Sequence, residues 1–190
     1  MKIIAHRGSM ARGLQNSPAG IAVALDSQAD LVELDVRCGR DGAFLCCHGT
    51  SAPSTLADCL AQLRAPSGLI AHLKGRFDPP DLLRLWQQLQ QQLAPEGIII
   101  ASHRGAVLRR AAETIPLAAR ARFGWLPAVL ALVRPQPWDI CMVNQVLLST
   151  AHVRALQRRG FRVFASCVWE LRSRSSVARL GVDAAFVNLH

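Results

Sequence analysis

The stretch LVELDV at residues 31–36 places Glu33 and Asp35 two positions apart. In an extended strand, residues i and i+2 face the same way, so two carboxylates project side by side from an otherwise apolar segment. Burying such a pair bare is costly. Either cationic side chains relieve it, with Arg37 and Lys74 as candidates, or a divalent cation does. Downstream, RCGRDGAFLCCHG at 37–49 carries an Asp41-Gly42 tight-turn signal between two short β-like runs. A hairpin there sends the chain back and delivers His48 beside the carboxylates. HLK at 72–74 sets His72 and Lys74 on one strand face. A lysine in an apolar strand needs an anion, either a phosphate or the Glu33–Asp35 pair. HRG at 6–8 closes the first apolar run and adds His6 and Arg7.

This set combines two proton-transfer groups, a carboxylate pair suited to a hard metal, and cationic anchors. It fits displacement at a phosphodiester, where cations stabilise charge on the equatorial oxygens and two histidines move protons. The string IIAHRG at 3–8 returns as IIASHRG at 99–105. The first copy is followed by E-x-D, D-G and His, the second by AVLRRAAETIPLAAR with a single acid. His6 is therefore the catalytic candidate. His103 shares its backbone setting, a strand end turned by a glycine that tolerates unusual backbone angles.

The elements that position these residues follow from hydrophobic periodicity. Strands are predicted near 2–6, 30–36, 69–73, 97–101, 117–121, 140–144, 161–166 and 183–187. Helices are predicted at 17–27, 55–64, 79–93, 104–113, 124–133, 149–159 and 170–180. PPDLLRLWQQLQQQL at 79–93 is the clearest, with proline at its start, Asp in its first turn and leucines at helical spacing. Eight strands alternating with helices predict parallel β/α units closing into a compact (β/α)8 TIM barrel over a single domain, 1–190. Its units average about 24 residues, short for that fold. The chain stops after the eighth strand, which leaves the last helix out. An open flavodoxin-like sheet with fewer strands is the structural alternative.

Composition narrows the partners. The formal charge is +9, spread along the chain, a field that attracts nucleic acid, anionic lipid or a phosphorylated small molecule. Stacking aromatics are scattered and tyrosine is absent, so the single-stranded nucleic-acid signature is weak and no nucleic-acid partner is expected. No apolar run approaches the roughly 18 residues of a transmembrane helix, and the short apolar stretch in MKIIAHRG is no secretory signal. A cytoplasmic protein is expected. The six cysteines at 38, 46, 47, 59, 141 and 167 lack C-x-x-C spacing and read as reduced, mostly buried thiols.

The order of motifs resembles the glycerophosphodiester phosphodiesterase family, a TIM-barrel family. Its pattern of HRG, P-E-N-[ST], G-A-D-x-x-E-x-D-V, x-D-G and H-D is matched here by HRG (6–8), LQNSP (14–18), QADLVELDV (28–36), RDG (40–42) and HG (48–49). PSTLADCL (53–60), AHLKG (71–75) and VDAAFVN (182–188) resemble later family segments. The likeness is specific over 1–75 and looser beyond. It implies His6 and His48 as the acid/base pair, Glu33 and Asp35 as ligands of Mg²⁺ or Ca²⁺, and Arg7 and Lys74 on the phosphate or the carboxylates. The implied reaction is hydrolysis of a small-molecule glycerophosphodiester to an alcohol and a glycerol phosphate.

The chain departs from the family pattern at specific positions. Gln15 replaces a glutamate, His72 stands where the family has a metal-binding glutamate, and Gly49 replaces an aspartate. The usual insertion after the second histidine is nearly absent. An imidazole ligand shifts metal preference toward Mn²⁺ or Zn²⁺. A catalytically inactive barrel that binds a phosphorylated ligand accounts equally for Gln15 and His72. A missing cover over the mouth exposes apolar surface that a homodimer would bury.

Overall fold

The computed structural model describes residues 1–49, 52–115, 118–124, 136, 138–168 and 171–190. Its strands are β1 (Lys2–Ala5), β2 (Leu31–Cys38), β3 (Phe44–Cys46), β4 (Ser54–Thr55), β5 (Gly68–Leu73), β6 (Ile98–Ser102), β7 (Ala119–Phe123), β8 (Ile140–Asn144), β9 (Arg162–Val168) and β10 (Ala184–Val187). Its helices are α1 (Pro18–Asp26), α2 (Leu56–Leu60), α3 (Pro79–Gln90), α4 (Gly105–Thr114), α5 (Thr150–Arg158) and α6 (Leu171–Arg179). The helix expected at 124–133 lies, beyond Gly124, outside the described residues.

Eight strands run parallel in the order β1-β2-β5-β6-β7-β8-β9-β10, and β10 pairs back with β1. The sheet is thus a closed barrel, which excludes the open-sheet alternative. β3 and β4 form an antiparallel extension off β2. Residues 188–190 follow β10 without a helix.

Alternation along each strand builds two cores, because successive side chains face opposite sides of a sheet. Ile4, Leu31, Ile70, Ile99, Ala121, Ile140, Phe164 and Ala184 fill the barrel interior, one from each strand. The intervening Val32, Leu34, Leu69, Ala71, Ile100, Cys141, Val163 and Ala185 face the helices. α3 answers with Leu82, Leu85, Trp86 and Leu89, all buried at i, i+3, i+4 and i+7. Asp78 is its N-cap, followed by proline in the first turn.

The two HRG copies differ in backbone. Arg7 and Gly8 both take positive φ, 52° and 74°, whereas Gly105 opens α4 and is not among the positive-φ residues. At Gly8 a β-carbon would lie 2.8 Å from the Gly20 carbonyl carbon, so here glycine also permits a close approach of the loop to α1. The shared-turn expectation holds for the first copy and fails for the second, where the glycine begins a helix.

Candidate active site

The inward columns that fill the barrel continue upward to the carboxyl ends of the strands. Leu31 is followed by Glu33 and Asp35, Ile70 by His72 and Lys74, and Ile4 by His6. This is the end at which barrel enzymes assemble their chemistry. The adjacent pairing Asp35↔His72 fixes the relative height of two of these columns.

Asp35, 1% exposed, is the hub. One carboxylate oxygen, Oδ1, meets Lys74 Nζ at 2.9 Å and His72 Nδ1 at 3.3 Å. The other, Oδ2, meets His48 Nδ1 at 2.9 Å and Arg7 Nε at 3.1 Å, the latter as an ion pair without hydrogen-bond alignment. Asn16, itself at φ 55°, clamps the hub from a third side. Its Oδ1 accepts the Asp35 backbone N–H at 2.8 Å, and its Nδ2 donates to Oδ2 at 3.4 Å. Glu33 accepts the Arg7 backbone N–H on Oε2 at 3.1 Å and faces His72 Nδ1 with Oε1 at 3.1 Å.

The hairpin turned at Asp41-Gly42 pairs Val36 with Cys46 and brings His48 to Asp35 as expected. Of the two cations proposed to relieve the carboxylates, Lys74 does so and Arg37 forms no ion pair among the described residues. His6 stands apart from the carboxylate cluster, with Nδ1 3.0 Å from Asn188 Oδ1. Arg7 bridges the two sides. Its Nη1 donates to Gln15 Oε1 at 2.9 Å and its Nη2 lies 3.4 Å from His48 Nε2.

Charge settles the protonation of the cluster. Burial alone would raise the Asp35 pKa, but the His72 hydrogen bond and the Lys74 charge hold it far below the ordinary carboxylate range. Burial would lower His72, yet its bonds to Asp35 and Glu33 outweigh that and raise it above 6.5. His103, whose ring centroid lies 5.1 Å from that of His72, moves the other way, down to about 4. Partial burial of its ring is the main cause, reinforced by the charges of His72 and Lys74.

Glu33, Asp35 and His72 also form a metal-ligating group, with one donor atom from each within 4.8 Å of the others. All three are buried, and His72 Nε2 has no hydrogen-bond partner among the described residues. Two carboxylates and an imidazole fit a divalent cation of intermediate hardness. His72 Nδ1 faces both carboxylates, Glu33 Oε1 at 3.1 Å and Asp35 Oδ1 at 3.3 Å.

Three residues at this site carry no role in the sequence reading. Asn16 lies in the quoted LQNSP segment and Asn188 in VDAAFVN, so both had a motif as signal. Phe123 had none; its ring stacks on His72 at 4.3 Å between centroids and on His103 at 4.6 Å. A larger cleft of about 700 Å³ lies at the opposite end of the barrel, lined by Lys2, Asp30, Arg64 and neighbours. None of the site residues reaches it.

No curated protein sequence matches the chain. Residues 6–73 match the model of the glycerophosphoryl diester phosphodiesterase family. Among solved structures, a phosphodiesterase from Oleispira antarctica in complex with the product sn-glycerol-3-phosphate is 18% identical, with TM-score 0.81 over 98% of this chain and 92% of that one. A glycerophosphodiester phosphodiesterase from Parabacteroides distasonis is 17% identical, with TM-score 0.80 over 98% and 92%. One from Thermotoga maritima is 14% identical, with TM-score 0.76 over 97% and 93%. The family match spans the segment that carries His6, Glu33, Asp35, His48 and His72, and over nearly its whole length the chain shares the barrel fold of these structures.

Proposed function

We propose that the protein is a metal-dependent phosphodiesterase that hydrolyses glycerophosphodiesters to an alcohol and a glycerol phosphate, with His6 and His48 as its acid/base pair. The observation that carries this reading is the way both imidazoles are oriented. His48 Nδ1 faces Asp35 Oδ2 at 2.9 Å, and His6 Nδ1 faces Asn188 Oδ1 at 3.0 Å. Both partners accept hydrogen bonds, which places the proton on Nδ1 and turns each Nε2 away from that partner to take or return a proton, with Arg7 Nη2 3.4 Å from His48 Nε2. One histidine receives the proton of the attacking glycerol hydroxyl and the other, protonated also on Nε2, donates to the departing alkoxide; water then opens the resulting cyclic phosphate to glycerol phosphate, with the two proton-transfer roles reversed. Arg7 and Lys74, held in place by Asp35, neutralise the phosphoryl oxygens. The sn-glycerol-3-phosphate complex of the Oleispira antarctica phosphodiesterase supports a substrate of this class.

Glu33, Asp35 and His72 would hold a divalent cation, which supplies Lewis-acid stabilisation of charge at the phosphoryl group. With two oxygens and one nitrogen, this donor set favours Mn²⁺ or Zn²⁺ over the Mg²⁺ or Ca²⁺ that the family resemblance implies. On this reading the enzyme acts in lipid-headgroup turnover.

Hydrolysis of bis(p-nitrophenyl) phosphate and of glycerophosphocholine, measured with Mg²⁺, Ca²⁺, Mn²⁺ or EDTA, tests the reading. Metal-dependent turnover that falls by about 100-fold or more in His6→Ala is expected, the size of a general acid/base contribution. Folded protein without turnover under every metal would overturn it, in favour of a barrel that binds a phosphorylated ligand without cutting it.

A further inference from the structure

The inward columns of β6 to β9 reach the same mouth as the acid/base residues, yet the proposed chemistry uses none of them. They end in His103, Phe123, Asn144 and Ser166, and with Met142 and Leu147 these line a cavity of about 240 Å³. Among the described residues its lining contains no carboxylate, lysine or arginine. Phe123, Met142 and Leu147 supply apolar wall. The rim continues in Val146 and Leu147, which are 77% and 37% exposed. Asn144 Oδ1 is taken by the Val146 backbone N–H at 3.1 Å. The Asn144 amide nitrogen and the Ser166 hydroxyl carry no hydrogen bond among the described residues.

An aromatic floor connects this cavity to the site. Phe123 stacks on His72, its centroid lies 6.0 Å from that of Phe186, and Phe186 meets the His6 ring edge-on at 6.0 Å. A phosphodiester has two arms. On the reading above, the glycerol arm carries the attacking hydroxyl and must reach His6 or His48, where Gln15, Asn188 and Arg7 offer hydrogen bonds. The second arm then lies across the aromatic floor toward β6 to β9.

We propose that this cavity is the subsite for the departing alcohol and that it selects an uncharged, largely apolar alcohol over a cationic one. The inference rests on the phosphodiesterase reading for the position of the phosphorus. Its chemistry rests on the lining. Among the described residues a cationic headgroup there would give up water without meeting an unengaged carboxylate, because Glu33 and Asp35 are engaged by His72, Lys74 and Arg7. The protein's formal charge of +9 adds to the penalty. An apolar arm buries its surface on Phe123, Met142 and Leu147, and a single hydroxyl or ether oxygen finds Asn144 or Ser166.

Glycerophosphocholine and its neohexyl ester, in which carbon replaces the ammonium nitrogen, test this directly. They match in shape and differ in charge, and choline is the chemically better leaving group. A kcat/KM about 10-fold higher for the neohexyl ester is expected. Ser166→Asp, which adds a carboxylate to the cavity, is expected to narrow that ratio. A second readout needs no turnover. Of the three methionines, Met1, Met10 and Met142, only Met142 lines the cavity. In methyl-labelled protein its resonance, identified by its loss in Met142→Leu, should shift with neohexyl alcohol and not with choline. Preference for choline in either assay, or no shift with either alcohol, overturns the subsite. A Met142 shift in protein that hydrolyses no diester overturns the phosphodiesterase reading and leaves the cavity's ligand chemistry standing.

Discussion

Asp35 shows how much one buried carboxylate can organise. It accepts from Lys74, His72, His48 and Asn16 and pairs with Arg7, drawing together residues from the β1 loop, β2, the hairpin and the end of β5. Removing it leaves several cations facing one another in a desolvated pocket. Asp35→Ala is therefore expected to destabilise the fold by about 3–5 kcal/mol, the cost of breaking a buried charge cluster, as measured by urea denaturation. The neighbouring histidines separate under titration. His103, lowered to about 4 from an ordinary 6.5, binds its proton more weakly folded than unfolded. Its neutral form carries no penalty above pH 6.5, and the penalty grows as the pH falls toward 4. In His103→Gln, the loss of stability on acidification through that window should shrink. An unchanged profile would show that the ring is not desolvated in solution. His72 has the opposite sign, so in metal-free protein its contribution is full below 6.5 and fades as pH rises through its raised value.

Among the elements, the junction of the β1 loop with α1 sets the precision of the site. Ser17 caps α1 by accepting the Gly20 N–H at 3.1 Å, which turns Asn16 toward Asp35. Gly20 packs so closely under this loop that a β-carbon would sit 2.1 Å from the Leu14 carbonyl oxygen. Backbone cannot yield as a side-chain tip does, so Gly20→Ala should cost about 1–3 kcal/mol despite the better helix propensity of alanine. The displaced loop carries Gln15 and Asn16, so kcat should also fall. A variant as stable as wild type by thermal denaturation would refute the close approach. The β2–β3 hairpin acts as the second positioning device. Its short ladder, Val36↔Cys46 to Cys38↔Phe44, is what puts His48 over the mouth.

Closure of the barrel makes one site from strands far apart in the chain. β1 lies between β2 and β10, so His6 sits beside Asn188, 182 residues away, while β2, the strand that carries Glu33 and Asp35, pairs with the other side of β1. A cation bound by β2 and β5 together requires their native pairing and stabilises the fold by mass action. At a metal concentration 100-fold above Kd the gain is about 2.7 kcal/mol, or a rise in Tm of about 5–10 °C for a domain of this size. Thermal denaturation with Mn²⁺ should show this rise at lower concentration than with Mg²⁺, because His72 supplies a nitrogen ligand. Tighter response to Mg²⁺, or none to either metal, would refute the ligand assignment. Among the described residues no helix is long and apolar enough to cross a membrane.

The chain's linear order determined the alternation of strands and helices, the side-by-side carboxylates of β2 and the return of His48. Each depends on spacing within one element or across one short turn, where geometry is nearly independent of context. Tertiary structure decided the contacts that join elements. That Lys74 serves Asp35, that Asn188 orients His6, and that Phe123 joins His72 to a cavity on β6 to β9 all follow from strand register and ring closure. Those are long-range pairings, and a local sequence pattern carries no record of them until the barrel brings its last strand against its first.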